Sequence, residues 1–352
     1  MSLEQSPASP YSAFVAGLPK AELHVHHVGS ASPAAVARLA ERHPGTVPSD
    51  PEQLAEYFRF SDFAHFIEVY LSVVDLIVDA QDLRTLTYDV AAEMAGQNIR
   101  YAELTMTPYT SEVRGIAAEA YVEAIEDARV AAERNHGIVL RWIFDIPGES
   151  GLPAAEGTLR TALEHGPSAL VGFGLGGPEV GVPRPQFKPY FDQARAAGLR
   201  SVPHAGETTG PETVWDALRD LGAERIGHGT TSVQDPELLA HLAERGIPLE
   251  VCPTSNIATR AVGHLDEHPI RQMVEAGVRV TVNSDDPPMF GTTLNQEYEI
   301  AARLLDLDEA GIADLAREAV RASFLPEQGK ADLLDEIDRY AGGRSDLPTV
   351  PE

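Results

Sequence analysis

Cysteine is nearly absent from this chain: Cys252 is the only one in 352 residues, which excludes an internal disulfide and any zinc site built from several thiolates. No stretch of about 18 apolar residues occurs, and residues 1–19 lack the basic start and apolar run of a secretory leader. The sequence therefore predicts neither a membrane span nor export, and the cytoplasm is the expected location. Basic residues are scarce too. With 27 Lys and Arg against 54 Asp and Glu the formal charge is −27, and such a field repels phosphate backbones and anionic lipid. A small-molecule substrate is expected, with no nucleic acid and no membrane as partner. Nothing in the sequence signals an oligomeric state.

What is present is a hydrophobic fraction of 43% broken by 29 Gly and 26 Pro spread along the chain, the composition of a globular core with many short turns. Short apolar or β-branched runs alternate with amphipathic stretches from end to end, which predicts a parallel sheet with crossover helices. The runs fall at 21–26, 101–106, 139–145, 170–175, 200–204, 225–228, 248–252 and 278–285. Eight such strands predict an α/β fold, a (β/α)8 TIM barrel with additional helices. Pro211 and Asp235-Pro236 open helices closed by Gly222 and Gly246, while 54–78, 117–135 and 294–323 supply further helical segments. Residues 1–352 read as a single barrel domain, with 1–19 as an N-terminal extension and 341–352 as a loose tail.

Four polar clusters stand at the carboxyl ends of these runs, the face on which barrel enzymes assemble their active sites. His24-Val25-His26 places two imidazoles on the same side of a strand, inside the barrel. Val202-Pro203-His204-Ala205-Gly206-Glu207 ends run five with an imidazole and a carboxylate, and Gly227-His228-Gly229 ends run six. Asn283-Ser284-Asp285-Asp286-Pro287-Pro288 ends run eight with two adjacent carboxyl groups, which repel unless a cation or a proton separates their roles. Each cluster alone fits a satisfied core histidine or a capping acid. Together His24, His26, His204 and Asp285 offer three nitrogens and one oxygen, a set suited to zinc or a similar divalent ion, and Glu207, His228 and Asp286 remain for proton chemistry. No lysine lies in 172–177 to bridge a second ion, so one zinc per chain is expected. The chain lacks a Gly-x-Ser-x-Gly elbow and a phosphate-loop lysine after Gly174-Leu175-Gly176-Gly177, whose backbone N–H groups stay available to a ring nitrogen.

Pro19-Lys20-Ala21-Glu22-Leu23-His24-Val25-His26, His204-Ala205-Gly206-Glu207, Gly227-His228-Gly229, Cys252-Pro253-Thr254-Ser255-Asn256 and Ser284-Asp285-Asp286-Pro287 occur in this order, and as a set they resemble the adenosine and adenine deaminase family of the amidohydrolase superfamily from about Leu18 to Phe324. The resemblance implies that His24, His26, His204 and Asp285 bind zinc. It further implies that Glu207 gives a proton to purine N1, His228 handles the proton of the attacking water, Asp286 holds the attacking oxygen, and the backbone of Gly177 meets N3. A carboxyl group that donates at N1 has to be protonated when attack occurs, so its surroundings must raise its pKa.

One position departs from the family's pattern. The acid expected shortly after the second histidine, which would receive a ribose 5′-hydroxyl, is replaced in His27-Val28. This variant, with Phe173-Gly174-Leu175-Gly176-Gly177-Pro178-Glu179 and Pro183-Arg184-Pro185-Gln186-Phe187-Lys188-Pro189, resembles the branch of the family acting on 6-aminodeoxyfutalosine in menaquinone biosynthesis. The resemblance implies a purine nucleoside with a benzoate-bearing extension in place of the 5′-hydroxyl. Val28 would face that extension, and His27, Arg184 and Lys188 are the candidate partners of its carboxylate. The other readings are an ordinary adenosine or adenine deaminase and a zinc-retaining binding protein without turnover. The aromatic segment Phe58, Phe60, Phe63, Phe66 and Tyr70 fits either a lid over the purine or plain core.

Overall fold

The computed structural model describes residues 9–45, 47–60 and 63–345. Eight parallel strands follow one another in space as they do in sequence. They are β1 (Lys20–His26), β2 (Ile99–Met106), β3 (Val139–Pro147), β4 (Leu170–Gly176), β5 (Arg200–Ala205), β6 (Ile226–His228), β7 (Leu249–Val251) and β8 (Val280–Val282). Each predicted run holds one strand. A parallel neighbour can be reached only through a crossover, and helices supply these crossovers around the outside. Their ends obey local chemistry: Asp235 accepts from the backbone N–H groups of Glu237 and Leu238 to cap Pro236–Arg245, which stops at Gly246 with φ +62°. Among the described residues no helix is long and apolar enough to cross a membrane.

Two expectations need revision at the chain's end and at β8. The last helix, Glu327–Ser345, continues through residues expected to be tail, with the Tyr340 hydroxyl donating to the carbonyl of Phe14 at 3.0 Å; residues 346–352 lie outside the described part. Strand β8 is shorter than 278–285: it covers Val280–Val282, and Asp285 beyond its end takes a left-handed backbone, φ +67°.

That shortening decides how the barrel closes. Between β8 and β1 there is a single parallel bridge, Val25 to Asp285. Asp285 N–H donates to the His24 carbonyl at 3.1 Å and His26 N–H to the Asp285 carbonyl at 2.9 Å. Below it the side-chain oxygen of Asn283 stands in for a strand partner, accepting from the N–H groups of Leu23 (2.9 Å) and His24 (3.2 Å). Ser284 N–H donates to Glu22 Oε1 at 3.1 Å.

Inside the barrel, fully buried Arg225 bridges Glu250 on β7, through Nε at 2.5 Å, and Glu103 on β2, through Nη2. Glu103 also accepts from the Tyr101 hydroxyl and the Phe324 N–H, and the guanidinium lies 3.9 Å from the Phe324 ring centroid. Removing the cation from two buried carboxylates costs far more than the pair contributes when intact. Arg225→Ala is therefore expected to lose about 3–5 kcal/mol of stability, read from the denaturant midpoint at unchanged slope; a loss below 1 kcal/mol would refute this account.

Candidate active site and metal centre

The strand ends bring the predicted ligands to one point. His26 Nε2 lies 3.3 Å from Asp285 Oδ1 and 3.2 Å from His204 Nε2, and His24 Nε2 lies 3.5 Å from Asp285 Oδ1. His228 stands as close: one ligand atom each of His24, His204, His228 and Asp285 fall within 4.8 Å of one another, all four buried. The flanking glycines have a steric reason. A Cβ on Gly227 would meet Cε1 of His24 at 2.7 Å, and one on Gly29 would fall on the Asp286 carboxylate. His228 and Asp285 are both held at positive φ, +63° and +67°, a backbone cost tolerated where the surroundings dictate a geometry.

The cluster fits a metal ion on its own terms. Glu250 can only accept, so His24 Nδ1, 2.9 Å from Glu250 Oε2, carries a hydrogen; in the neutral ring the lone pair is on Nε2, which is buried and without a hydrogen-bond partner. Burial drives the His26 imidazole down to about 4; the same desolvation, joined by neighbouring His24, drives His204 well below its usual value. Both are neutral, which is the ligating form. At His24 burial again opposes protonation, but Asp285 and Glu250 outweigh it and raise the group to about 10. The carboxylates demand positive charge here, and a divalent ion meets that demand.

Residues that the sequence reading passed over orient these groups. The Ser255 hydroxyl donates to Asp285 Oδ2 at 2.6 Å. Ile270 N–H, which can only donate, binds His268 Nδ1 at 3.2 Å; His268 Nε2–H then donates to Asn256 Oδ1 at 3.1 Å, and Asn256 Nδ2 donates to His228 Nδ1 at 3.1 Å. This direction leaves the hydrogen of neutral His228 on Nε2, facing Glu207 Oε2 at 3.7 Å and Asp285 Oδ2 at 3.9 Å. Burial keeps His228 neutral, at about 4. Glu179 pins the turn after β5, its Oε2 accepting from the N–H groups of Glu207 (3.0 Å), Thr208 (2.7 Å) and Thr209 (2.9 Å). Ser255 and Asn256 lie in the Cys-Pro-Thr-Ser-Asn motif and Glu179 ends the Phe-Gly-Leu-Gly-Gly-Pro-Glu run, both usable signals; Glu250 carried none beyond its charge.

The remaining acids are tuned apart. Burial, followed by repulsion from Asp285, raises the Glu207 carboxyl to about 8, so it is protonated near neutrality. Burial and Asp285 also raise Asp286 well above the carboxylate range, and its Oδ1 is buried without a partner. Asp285 itself is held well below that range: burial opposes its ionisation, and its close pairing with His24 and the other imidazoles prevails. Gly177 has φ +80°, so its presentation of the backbone suits glycine.

On the side expected to face a substrate extension, Val28 and His27 line a cavity of about 30 Å³ with Tyr70, Ile77, Thr105 and Thr107. The three cations expected there are not brought together. His27 is buried and neutral, lowered by burial to about 3; Thr87 gives its own hydrogen to the Leu83 carbonyl, so His27 Nε2 donates to Thr87 Oγ1 at 2.9 Å. Arg184 is fully buried, spanning the carbonyls of His204 (3.2 Å) and Val182 (2.7 Å) and reaching Glu179 at 3.5 Å, so it braces the active-site turn. Lys188 is paired with Asp192 at 3.1 Å on an outer helix. Phe66 packs against Phe60 and Phe290, with centroids 5.2 and 5.0 Å away, and Phe58 is buried, which is core packing; the Phe63 side chain lies outside the described residues.

Since Glu250 fixes the tautomer of His24, Glu250→Gln is expected to weaken metal binding about 10–100-fold, measured by competition with a chromogenic chelator. Unchanged affinity in the folded variant would remove Glu250 from this role.

Comparison with known proteins agrees with the geometry. Over 330 residues, 93% of this chain and 92% of the relative, the sequence is 71% identical to an aminodeoxyfutalosine deaminase of Streptomyces avermitilis. The crystal structure of an adenine deaminase from Arthrobacter aurescens superposes with a TM-score of 0.87 at 33% identity, covering 93% of this chain and all of that one. An amidohydrolase from Burkholderia ambifaria, crystallised with bound zinc, superposes with a TM-score of 0.88 at 26% identity over 98% of this chain and 97% of its own. The family described as adenosine deaminase matches residues 19–340, and this chain accordingly belongs to it, as a metal-dependent hydrolytic deaminase.

Proposed function

We propose that this chain, as one cytoplasmic barrel domain, hydrolyses the 6-amino group of 6-aminodeoxyfutalosine to futalosine and ammonia, a step of menaquinone biosynthesis, with one zinc ion held by His24, His26, His204 and Asp285. The observation that carries the chemistry is the Glu207 carboxyl, raised to about 8 and set beside the imidazole cluster. Zinc in such a set lowers the pKa of water toward about 7 and so supplies a nucleophile near neutral pH. Protonated Glu207 donates to N1 of the purine, which draws electron density from C6. His228, with its hydrogen on Nε2, donates to the incoming oxygen rather than taking a proton from it. Asp286 offers its unpartnered Oδ1 to the hydrogen of the attacking water, and in its ionised form it would take that proton. The backbone N–H of Gly177 is the partner for N3. The amino nitrogen leaves as ammonia once protonated.

Val28 supports the choice of substrate, as does the name of the 71% identical relative. A carboxylate at position 28 would stand as an unpaired charge against the apolar side chains of Tyr70, Ile77 and Leu83. Valine instead suits a substrate without a 5′-hydroxyl.

Glu207→Gln is expected to keep the metal and lose about 10²–10⁴-fold in kcat, and wild-type activity is expected to fall as pH rises through about 8, where Glu207 gives up its proton. Near-normal turnover of the variant would exclude Glu207 as the acid. The substrate is tested by steady-state kinetics: kcat/KM for 6-aminodeoxyfutalosine should exceed those for adenosine and adenine at least tenfold, a difference of about 1.4 kcal/mol in transition-state binding. Equal or reversed values would overturn the substrate and leave the deaminase chemistry standing.

A further inference from the structure

Two carboxyl groups at the mouth of the barrel have no part in the steps above. Asp145, near the end of β3, is only 4% exposed. Its Oδ1 accepts from the Thr107 hydroxyl at 2.6 Å, while its Oδ2 accepts from no other residue among those described. Oδ2 points toward the open side of Gly176: a Cβ there would stand 2.6 Å from Oδ2 and 3.7 Å from Cε1 of His204. Gly176 thus keeps clear the space between Asp145 and a metal ligand. Glu149, in the turn Gly148–Ser150 that follows β3, places its Oε2 over Gly177, where a Cβ would collide with it. The two acids flank the glycine pair from the β3 side.

The orientation of the purine decides what they meet. With N1 on Glu207 and N3 on Gly177, the ring turns its N3 edge toward β3 and β4. N9 is joined to N3 through C4 alone, so the sugar leaves the ring on that same edge and comes against the residues beside Gly176 and Gly177. A ribose offers two neighbouring hydroxyl donors there. Asp145 offers a buried acceptor and Glu149 an exposed one beside it, and a buried acceptor left without its donor costs more than an exposed one. We propose that Asp145 and Glu149 receive the 2′- and 3′-hydroxyls of the substrate's sugar and thereby select an intact ribonucleoside over a deoxynucleoside or the free base. The proposal rests on the purine deaminase reading and its ring orientation. Asp145 has Thr107 as its fixed partner, and Thr107 also lines the cavity beside Val28. The sugar site is therefore continuous with the wall expected to face the 5′ extension.

The test is a matrix of kcat/KM values for wild type, Asp145→Asn and Glu149→Gln, each with 6-aminodeoxyfutalosine and with its 2′-deoxy and 3′-deoxy analogues. Asn keeps an acceptor for Thr107, and matching melting temperatures check the fold. Wild type is expected to lose about 10–100-fold on an analogue lacking one hydroxyl, within the range for a hydroxyl a polar site is built to bind. The variant at the matching acid should lose a similar factor on the full substrate, mainly in KM, and discriminate against that analogue less than threefold. A wild type that treats the deoxy analogues within threefold of the parent overturns the proposal, whatever the variants do. So do variants that lose one common factor on all three compounds, which would mark the acids as structural. Failure of the wild type to deaminate any of the three would overturn the substrate reading and this proposal with it.

Discussion

Closure of the barrel between β8 and β1 rests on one backbone bridge and on the side chain of Asn283, and three of the four residues proposed to hold the metal, His24, His26 and Asp285, stand at that seam. A regular ladder would point successive side chains alternately in and out. The left-handed turn at Asp285 breaks that alternation, so Asp285 and Asp286 can both serve the cavity from adjacent positions. The seam also brings the Asp285 backbone between His24 and His26. Side-chain geometry at the site is therefore inherited from main-chain hydrogen bonds, which tolerate little drift.

Buried carboxyl groups divide into two populations, and the division is the electrostatic plan of the site. Glu250 is held below its usual range, because Arg225 and His24 overcome the cost of burying it. Glu207 and Asp286 have no such partner and are raised. The first kind fixes an imidazole, and the second kind is biased toward the protonated form. The whole-chain charge of −27 says nothing about this difference, since it turns on which neighbour each acid meets.

The strands were legible in the sequence, and the candidate ligands could be picked out from it, because both obey short-range rules. Apolar runs end in glycine or proline, and His24 and His26 sit two apart on one strand face. Supporting groups obey no such rule. Glu22 meets Ser284 across 262 positions and His24 meets Glu250 across 226, so neither partner marks the other locally. Cations mislead for the same reason: Arg184 and Lys188 carry charge in the sequence, but whether that charge is already satisfied is a matter of packing. His27 follows a ligand on the strand, and its parity turns it toward Thr87, where burial leaves it uncharged. Asp145 shows the opposite failure, an acid unremarkable in sequence that faces the mouth of the barrel. The final helix outran expectation because a Gly-rich end can still be anchored from outside, here by Tyr340 on Phe14.

The seam has a consequence for how the protein comes into being. Three of the four proposed metal ligands stand on the first strand and in the turn after the last, so the nascent chain emerging from the ribosome carries His24 and His26 long before Asp285 exists. At about 5–20 residues per second the interval is on the order of tens of seconds. During that time the two exposed imidazoles lack the carboxylate that completes their set. The full coordination shell can form only when nearly the whole polypeptide has been made, which ties metal loading to completed synthesis and denies a truncated chain its full set of ligands.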